Sequence, residues 1–207
     1  GAALLQDTEA ALTELDLGVQ RAASAADGRE QHLRVSVLPS FAQRWLLPRS
    51  GEFTRQHPEI EVRFGPARAA LDFSRDDFHA AILYGSGLWV GLKSERLLDE
   101  WVFPVCSPAL LARLGPIETL ADFARYPLIH SRAEPWVDWL RRVGGDTTRA
   151  ETVPLAEDSS ATLTAVEQGK GVALARWSLV AADLAAGRLV RPMLPSKESF
   201  PYTLRAV

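Results

Sequence analysis

Short alternations of apolar and polar residues recur along the chain and predict β-strands separated by helices. Residues 33–37 alternate with the period of a strand that buries one face. Pro39 and Ser40 interrupt this alternation, and an apolar stripe with helical spacing follows until it stops before Pro58. Alternation resumes over 60–64. The run therefore predicts a strand–helix–strand unit.

The alternation typical of strands and the spacing typical of helices also predict the elements in the rest of the chain. A first half ends near residue 104, a second half follows it, and the last strand returns to the first half. Such alternation of strands and helices favours an α/β fold. The further predicted strands are 78–84, 94–98, 101–106, 126–130, 151–155, 171–175, 189–193 and 202–207; the further helical segments are 72–77, 108–112, 120–125, 135–143, 159–168 and 179–186.

Residues 2–26 differ from the rest, since they are rich in Ala, Leu, Glu and Gln and contain no proline. Leu5, Leu12 and Val19 are seven residues apart, and Leu15 and Ala22 occupy the second seam. This heptad pattern predicts a helix that pairs with another helix. The alternative is an amphipathic helix that packs on its own domain.

Composition limits the classes of function. With 207 residues and 47% hydrophobic content the chain can bury one large or two small cores. A formal net charge of −3 argues against a nucleic-acid-binding surface. The single cysteine, Cys106, excludes an intrachain disulfide and fits a reducing compartment. We find no long apolar run and no basic segment followed by one, so we expect neither a membrane span nor a secretory signal.

Motifs of enzymes and of cofactor sites are missing from the sequence. Residues 84–87 have the wrong spacing for a nucleophile elbow, and 168–171 lack the glycine and hydroxyl residue of a phosphate loop. The four histidines do not have the spacing of metal ligands. We therefore expect no catalysis, no cofactor and no metal.

Two predicted helix starts are candidate ligand contacts. Ser40, Phe41 and Ala42 lie where the first strand passes into its helix, and Asp158 and Ser159 begin a later helix. Free N–H groups and the positive end of the helix dipole converge at such positions. Ser40 and Asp158 have an alternative role as ordinary N-caps. Together the two starts suit a zwitterion such as an amino acid or a peptide.

Four further residues are candidates because of their position at strand or helix ends. His130 and Ser131 follow a buried strand, and the carboxyl ends of strands are where open α/β sheets bind ligands. Tyr84 ends another strand, where it either donates its hydroxyl to a ligand or covers the core. Trp136 lies at the start of the next predicted helix, although its spacing from Trp139 is also typical of a packed face.

Several of these segments resemble the effector-binding domain of LysR-type transcriptional regulators, especially the glycine-cleavage-activator subgroup. The resembling fragments are 32–64, 78–85, 95–100, 103–111 and 157–160, in the expected order, and the likeness covers about 30–207. It implies two Rossmann-like subdomains joined by crossover strands, as in periplasmic binding proteins, with a ligand cleft between them. The implied domains are a linker and dimerisation helix over 1–28, subdomain I over 32–104 with 195–207, and subdomain II over 105–194.

The resemblance also implies a function and partners. It predicts the effector-sensing and oligomerisation domain of a bacterial, cytoplasmic regulator that binds a small amino-acid-like or carboxylate ligand. The implied partners are this effector, further copies in a homodimer or homotetramer, and RNA polymerase. DNA would be contacted through an N-terminal winged helix-turn-helix that this chain lacks. The alternative is a stand-alone periplasmic-type solute-binding protein.

Overall fold

The computed structural model describes residues 32–66, 73, 76–85, 89–148 and 158–192, together with the backbone of 155–156 and 200–206. The predicted heptad helix over 2–26 lies outside the described residues, as do half of the predicted turn over 72–77 and all but residue 155 of the predicted strand over 151–155. None of the described helices has the length and apolar character needed to cross a membrane.

The described elements follow the predicted alternation of strands and helices. The helix α1 covers residues 39–56 in three parts, which are an α-helical turn Pro39–Phe41, a π-helical segment Ala42–Leu46 and an α-helix Leu47–Gln56. The strands are β1 His32–Val37, β2 Glu61–Pro66, β3 Ala80–Tyr84, β4 Glu95–Val105, β5 Leu128–Ser131, β6 Leu155–Ala156, β7 Val172–Arg176 and β8 Phe200–Ala206; the other helices are α2 Pro108–Leu114, a 3-10 helix Leu120–Arg125, α3 Trp136–Val143, α4 Ser159–Glu167 and α5 Trp177–Ala185.

Within the described residues, eight strands form one sheet in the order β2-β1-β3-β8-β4-β7-β5-β6. β1 is parallel to β2 and β3, and β5 is parallel to β6 and β7. The antiparallel strands β4 and β8 join these two groups, so the groups run in opposite directions. Tyr84, which ends β3, and Leu98 of β4 both pair with Leu204. Arg176, which ends β7, pairs with Val102 of β4. The carboxyl ends of the two groups therefore face each other across the middle of β4.

Two predictions for the strands are wrong. The segments expected as separate strands at 94–98 and 101–106 form the single strand β4, with a register shift between Arg96 and Leu98. The strand continues through Asp99 and Glu100 because β8 pairs with β4 at these residues and on both sides of them. The strand expected at 189–193 is reduced, in its described part, to one bridge between Val190 and Cys106.

The start of α1 also differs from the prediction. Its N-cap is Leu38, Pro39 occupies the first turn, and Ser40 lies inside the helix instead of capping it. Proline is tolerated there because its missing N–H would have no partner inside the helix. The N–H of Leu47 then bonds to the carbonyl of Ala42, which makes the π-helical segment.

The buried side chains form two clusters. In the first, Val37 and Phe41 pack with residues from β4, α4 and α5, including Leu163 and Val180. In the second, Trp136 and Trp139 pack around Phe123, with ring centroids 5.4 Å and 6.0 Å from it. Burying each large apolar side chain contributes roughly 1.5–3 kcal/mol. The first cluster holds the helix that follows β1 against the second parallel group.

Candidate functional site

Four helices begin close to the facing strand ends. α1 follows β1, α3 follows β5, α4 follows β6, and α5 continues directly from β7. Each helix start carries backbone N–H groups without intrahelical partners and the positive end of a dipole. This edge of the sheet is therefore suited to acidic or polar groups.

Glu100 lies at the centre of this edge and is fully buried. Its carboxylate accepts hydrogen bonds from the backbone N–H of Ser178 at 3.0 Å and from the Ser178 hydroxyl at 2.6 Å. The Tyr84 hydroxyl donates to the same carboxylate at 3.3 Å. Burial raises the pKa of Glu100, and these hydrogen bonds and Arg176 oppose the rise. One carboxyl group thus connects the end of β3 with the start of α5.

The guanidinium of Arg176 covers the ring of Tyr84, 3.8 Å from its centroid. Arg176 is 6% exposed and donates to the carbonyl of Ala133 at 3.3 Å. Burial raises the pKa of Tyr84 to about 12, despite the opposing effect of the arginine. The tyrosine is therefore a neutral hydroxyl donor at neutral pH.

Glu134 links Arg176 to the start of α4. Its Oε1 lies 3.0 Å from the Arg176 Nε, and its Oε2 accepts from the Ser159 hydroxyl at 2.8 Å. The ion pair does not have hydrogen-bond geometry, since neither Oε1 nor Nε has a hydrogen-bond partner. A continuous polar cluster therefore extends from Tyr84 to Ser159.

The first three predicted contact residues are buried at the start of α1. Ser40 is 4% exposed and lies inside the first turn of the helix. Phe41 stacks on Trp45 with ring centroids 5.0 Å apart, and Ala42 is packed in the same cluster. Phe41 and Ala42 thus form an apolar wall behind Ser40.

The predicted residues at β5 and α3 are also buried. His130 has an Nε2 atom without a hydrogen-bond partner, and burial lowers the pKa of this side chain. The Ser131 hydroxyl accepts from the N–H of Ala133 at 3.1 Å. Trp136 is fully buried and donates its indole N–H to the carbonyl of Ile129 at 3.0 Å. The packed-face alternative therefore describes the environment of Trp136.

The second predicted helix start has one exposed and one buried residue. Asp158 is the N-cap of α4, but its side chain makes no capping hydrogen bond. Its carbonyl accepts from the N–H of Thr162 at 3.2 Å. Ser159 is 6% exposed and holds Glu134 as described above.

Sequence reasoning missed Glu100, Glu134, Arg176 and Ser178. An acid inside an otherwise apolar strand was the available signal for Glu100, and a basic residue ending the apolar run 172–176 was the signal for Arg176. Glu134 had no such signal, because it lies in a polar loop before Pro135. Its role appears only when β5, β7 and α4 come together.

Side chains of these helices also contact one another directly. The Ser160 hydroxyl lies 3.5 Å from the side-chain carbonyl of Gln43, and the Arg44 guanidinium pairs with Glu167 at 3.0 Å and with Asp183 at 2.8 Å. A cavity of about 10 Å³ lies beside Glu134, enough for one water molecule.

A larger groove of about 500 Å³ lies elsewhere, between the third part of α1 and the strands β1 and β2. Its lining is predominantly apolar, and the polar cluster does not extend into it. The groove also includes Arg49, Ser50, Thr54 and Glu61. It does not lie at the carboxyl ends of the strands, where open α/β sheets bind ligands, so this groove is the weaker candidate. Its lining includes Leu33, Val35, Leu46, Leu47, Phe53, Ile60, Val62, Phe64 and Ile82.

Metal ligands do not cluster in the described residues, where no group of three His, Cys, Asp or Glu side chains is placed to hold an ion. The polar cluster is instead a set of neutral and charged hydrogen-bonding groups.

Comparison with models of protein families gives a match over residues 26–207 to the family described as the LysR substrate binding domain. The chain belongs to this family. The resemblance seen in the sequence is confirmed, and the fold is the two-subdomain α/β fold of periplasmic-binding-protein type that LysR regulatory domains share.

Curated relatives of this LysR-type domain are transcriptional regulators. The glycine cleavage system transcriptional activator of Escherichia coli K12 is 39% identical over 172 residues, which are 81% of this chain and 56% of that protein. The activator AmpR of Pseudomonas aeruginosa is 31% identical over 174 residues, 83% of this chain and 58% of that protein. The chain thus spans little more than half the length of these relatives.

Solved structures of the family agree with this assignment. The effector domain of AmpR from Pseudomonas aeruginosa has a TM-score of 0.68 and 30% identity, and the match covers 85% of each chain. The AmpR effector-binding domain from Citrobacter freundii has a TM-score of 0.69 and 27% identity, over 86% of this chain and 88% of that chain. The similarity therefore extends over the two strand groups and the helices between them.

Proposed function

We propose that this LysR-type domain senses a small molecule and transmits its binding to DNA-binding domains of the same regulator. The ligand binds in the cleft between subdomain I, residues 32–104 with 195–207, and subdomain II, residues 105–194. The observation that carries this proposal is the buried polar cluster where the carboxyl ends of the two strand groups face each other. Strand carboxyl ends beside helix starts are the usual ligand sites of open α/β sheets.

The residues of the site have different roles in the proposal. Ser40, Ser131, Ser159 and Tyr84 offer hydroxyl groups, and His130 offers a buried ring nitrogen. Asp158 accepts from a ligand ammonium group, while Phe41, Ala42 and Trp136 shape the apolar walls. The convergence of hydroxyl groups on helix starts supports an amino-acid-like or carboxylate effector.

Signalling requires that the ligand bind one arrangement of the subdomains more tightly than another. A ligand shifts the equilibrium between two arrangements only by its differential affinity for them. Because Arg44 and Gln43 connect α1 to α4 and α5 in this structure, a change in the arrangement of the subdomains breaks specific contacts. The helix over 2–26 pairs copies into a homodimer or homotetramer, which presents paired DNA-binding domains to an operator and to RNA polymerase.

The relatives favour a transcriptional regulator over a stand-alone solute-binding protein and over an enzyme. A stand-alone solute-binding protein is not favoured, because the curated relatives are transcriptional regulators. Enzymatic activity is also not favoured for the same reason.

Thermal unfolding with a ligand panel tests the proposal. The panel contains amino acids, short peptides, cell-wall fragments, and aromatic and aliphatic carboxylates. A ligand at 100 times its dissociation constant stabilises the fold by about 2.7 kcal/mol, which raises Tm by several degrees. Ser40→Ala should weaken the response, whereas Ser50→Ala, further along the same helix, should leave it unchanged. A ligand response that is the same in both variants would place binding elsewhere.

A further inference from the structure

The carboxylate of Glu134 lies between two groups that suit an acidic ligand. The Ser159 hydroxyl, in the first turn of the nine-residue helix α4, donates to its Oε2 at 2.8 Å. The Arg176 guanidinium faces its Oε1 at 3.0 Å. A hydroxyl donor, a guanidinium and a helix start are a typical combination for binding a carboxylate.

The contact between Glu134 and Arg176 is imperfect. Their side chains are only 1% and 7% exposed, yet Glu134 Oε1 and Arg176 Nε both lack a hydrogen-bond partner. Buried charged groups without hydrogen bonds are costly, and a better-aligned carboxylate can bind a guanidinium through two parallel hydrogen bonds. The arginine therefore has unused capacity to bind a second acid.

Glu134 can leave this position without disrupting the sheet. It lies in the loop between β5, which ends at Ser131, and α3, which begins at Trp136. Arg176, in contrast, ends β7 and has its guanidinium fixed against Tyr84 and the carbonyl of Ala133. The acid is thus the more displaceable partner of the pair.

We infer that Glu134 is an internal occupant of a carboxylate subsite, and that the carboxylate of an effector displaces it from Ser159 and Arg176. This inference rests on the proposed function and narrows its ligand class to small organic acids. Displacement leaves the Glu134 carboxylate to be rehydrated, so the ligand binds against an internal competitor. Removing the charge of Glu134 should therefore tighten the binding of carboxylates.

Chemical rescue of Glu134→Ala tests the subsite with a defined probe. Truncation leaves space beside Ser159 and Arg176, so acetate should raise the Tm of this variant by several degrees, while the uncharged acetamide should not. All samples are held at one ionic strength with chloride. Adding Arg176→Gln to the variant should abolish the rescue. Glu52→Ala removes the carboxylate of an exposed pair with Arg55 and should show no response to acetate.

Glu134→Gln provides a second test if Glu134→Ala fails to fold. The amide keeps the size of the side chain but not its charge, so acetate should stabilise this variant more than the native protein. Equal effects of acetate and acetamide, or an acetate response that persists after Arg176→Gln, would overturn the inference.

The ligand panel separates failure of this inference from failure of the proposed function. Each carboxylate is compared with its amide, on the native protein and on Glu134→Gln. If ligands bind in the cleft and their amides bind as tightly as the acids, the inferred carboxylate subsite is wrong, but the proposed sensing function is still supported. Acetate rescue without any saturable response to the panel supports the subsite and counts against the sensing function.

Discussion

The Arg44 guanidinium lies 2.8 Å from the Asp183 carboxylate, 139 residues away in sequence, and joins α1 to α5. Arg44 belongs to the π-helical segment of α1 and also pairs with Glu167 of α4 at 3.0 Å. Its side chain is 19% exposed, so solvent screens these pairs less than pairs on the open surface. The contact holds helices of the two strand groups together on one side of the cleft.

Arg44→Gln should therefore destabilise the folded protein. We expect the free energy of unfolding to fall by about 1 kcal/mol, since the pair is partly buried and Asp183 retains Arg188 as a partner. Urea unfolding measures this loss. Arg55→Gln, which removes an exposed pair on the same helix, is the matched control and should change stability much less. Equal effects of the two substitutions would mean that Arg44 has no special role between the subdomains.

Glu100 should make stability depend on pH. Burial raises its folded pKa above the ordinary value of 4.5, so the folded protein retains this proton more readily than the unfolded chain. The contribution of protonated Glu100 to the free energy of unfolding is fully present below the pKa that Glu100 has in the unfolded chain. It is lost as pH rises through the pKa that Glu100 has in the folded protein. Glu100→Gln should remove this loss of stability. Urea unfolding at a series of pH values, from below the unfolded pKa of Glu100 to above its folded pKa, measures the free energy of unfolding.

The control for this prediction lies in the same strand. Glu95 is exposed, and a hydrogen bond from Lys93 lowers its pKa, so Glu95→Gln should retain the loss of stability seen in the native protein. If the native protein and Glu100→Gln showed parallel stability profiles, Glu100 would not titrate in this range.

Local sequence patterns predicted much of the fold because strands and helices depend on the spacing of apolar and polar residues over a short stretch of chain. The alternation at 33–37, the helix that ends before Pro58 and the cap at Asp158 each follow from spacing within a few residues. The continuous strand β4 could not be predicted in the same way. Glu100 interrupts an apolar pattern, and its main partner, Ser178, lies 78 residues away.

The candidate site was predictable in its place but not in its polar contacts. Helix starts and strand ends are visible in sequence, which led to Ser40, Ser131 and Ser159. The ion pair between Glu134 and Arg176 depends on how β5 lies beside β7, a relationship that no local pattern contains. The same limit applies to Arg44, whose partners lie in two helices of the other half.

Cys106 should be unreactive in the folded protein. It is fully buried, and burial raises the pKa of its thiol to about 11, while the thiolate is the reactive form. A thiol reagent at neutral pH should label the native chain only as fast as it unfolds, and should label it rapidly in concentrated urea. Fast, stoichiometric labelling of the native protein, compared with this unfolded control, would contradict the burial of Cys106.

Leu12→Asp together with Leu15→Asp should weaken self-association. These positions lie on the two apolar seams of the heptad pattern in 2–26, and carboxylates at the contact of two helices would be desolvated without partners. Sedimentation velocity should show a shift toward the monomer. Ala10→Asp with Thr13→Asp adds the same charge outside the seams and serves as the control. If both double variants retained the native mass, contacts within 32–207 would have to hold the copies together, because the helix would then contribute little.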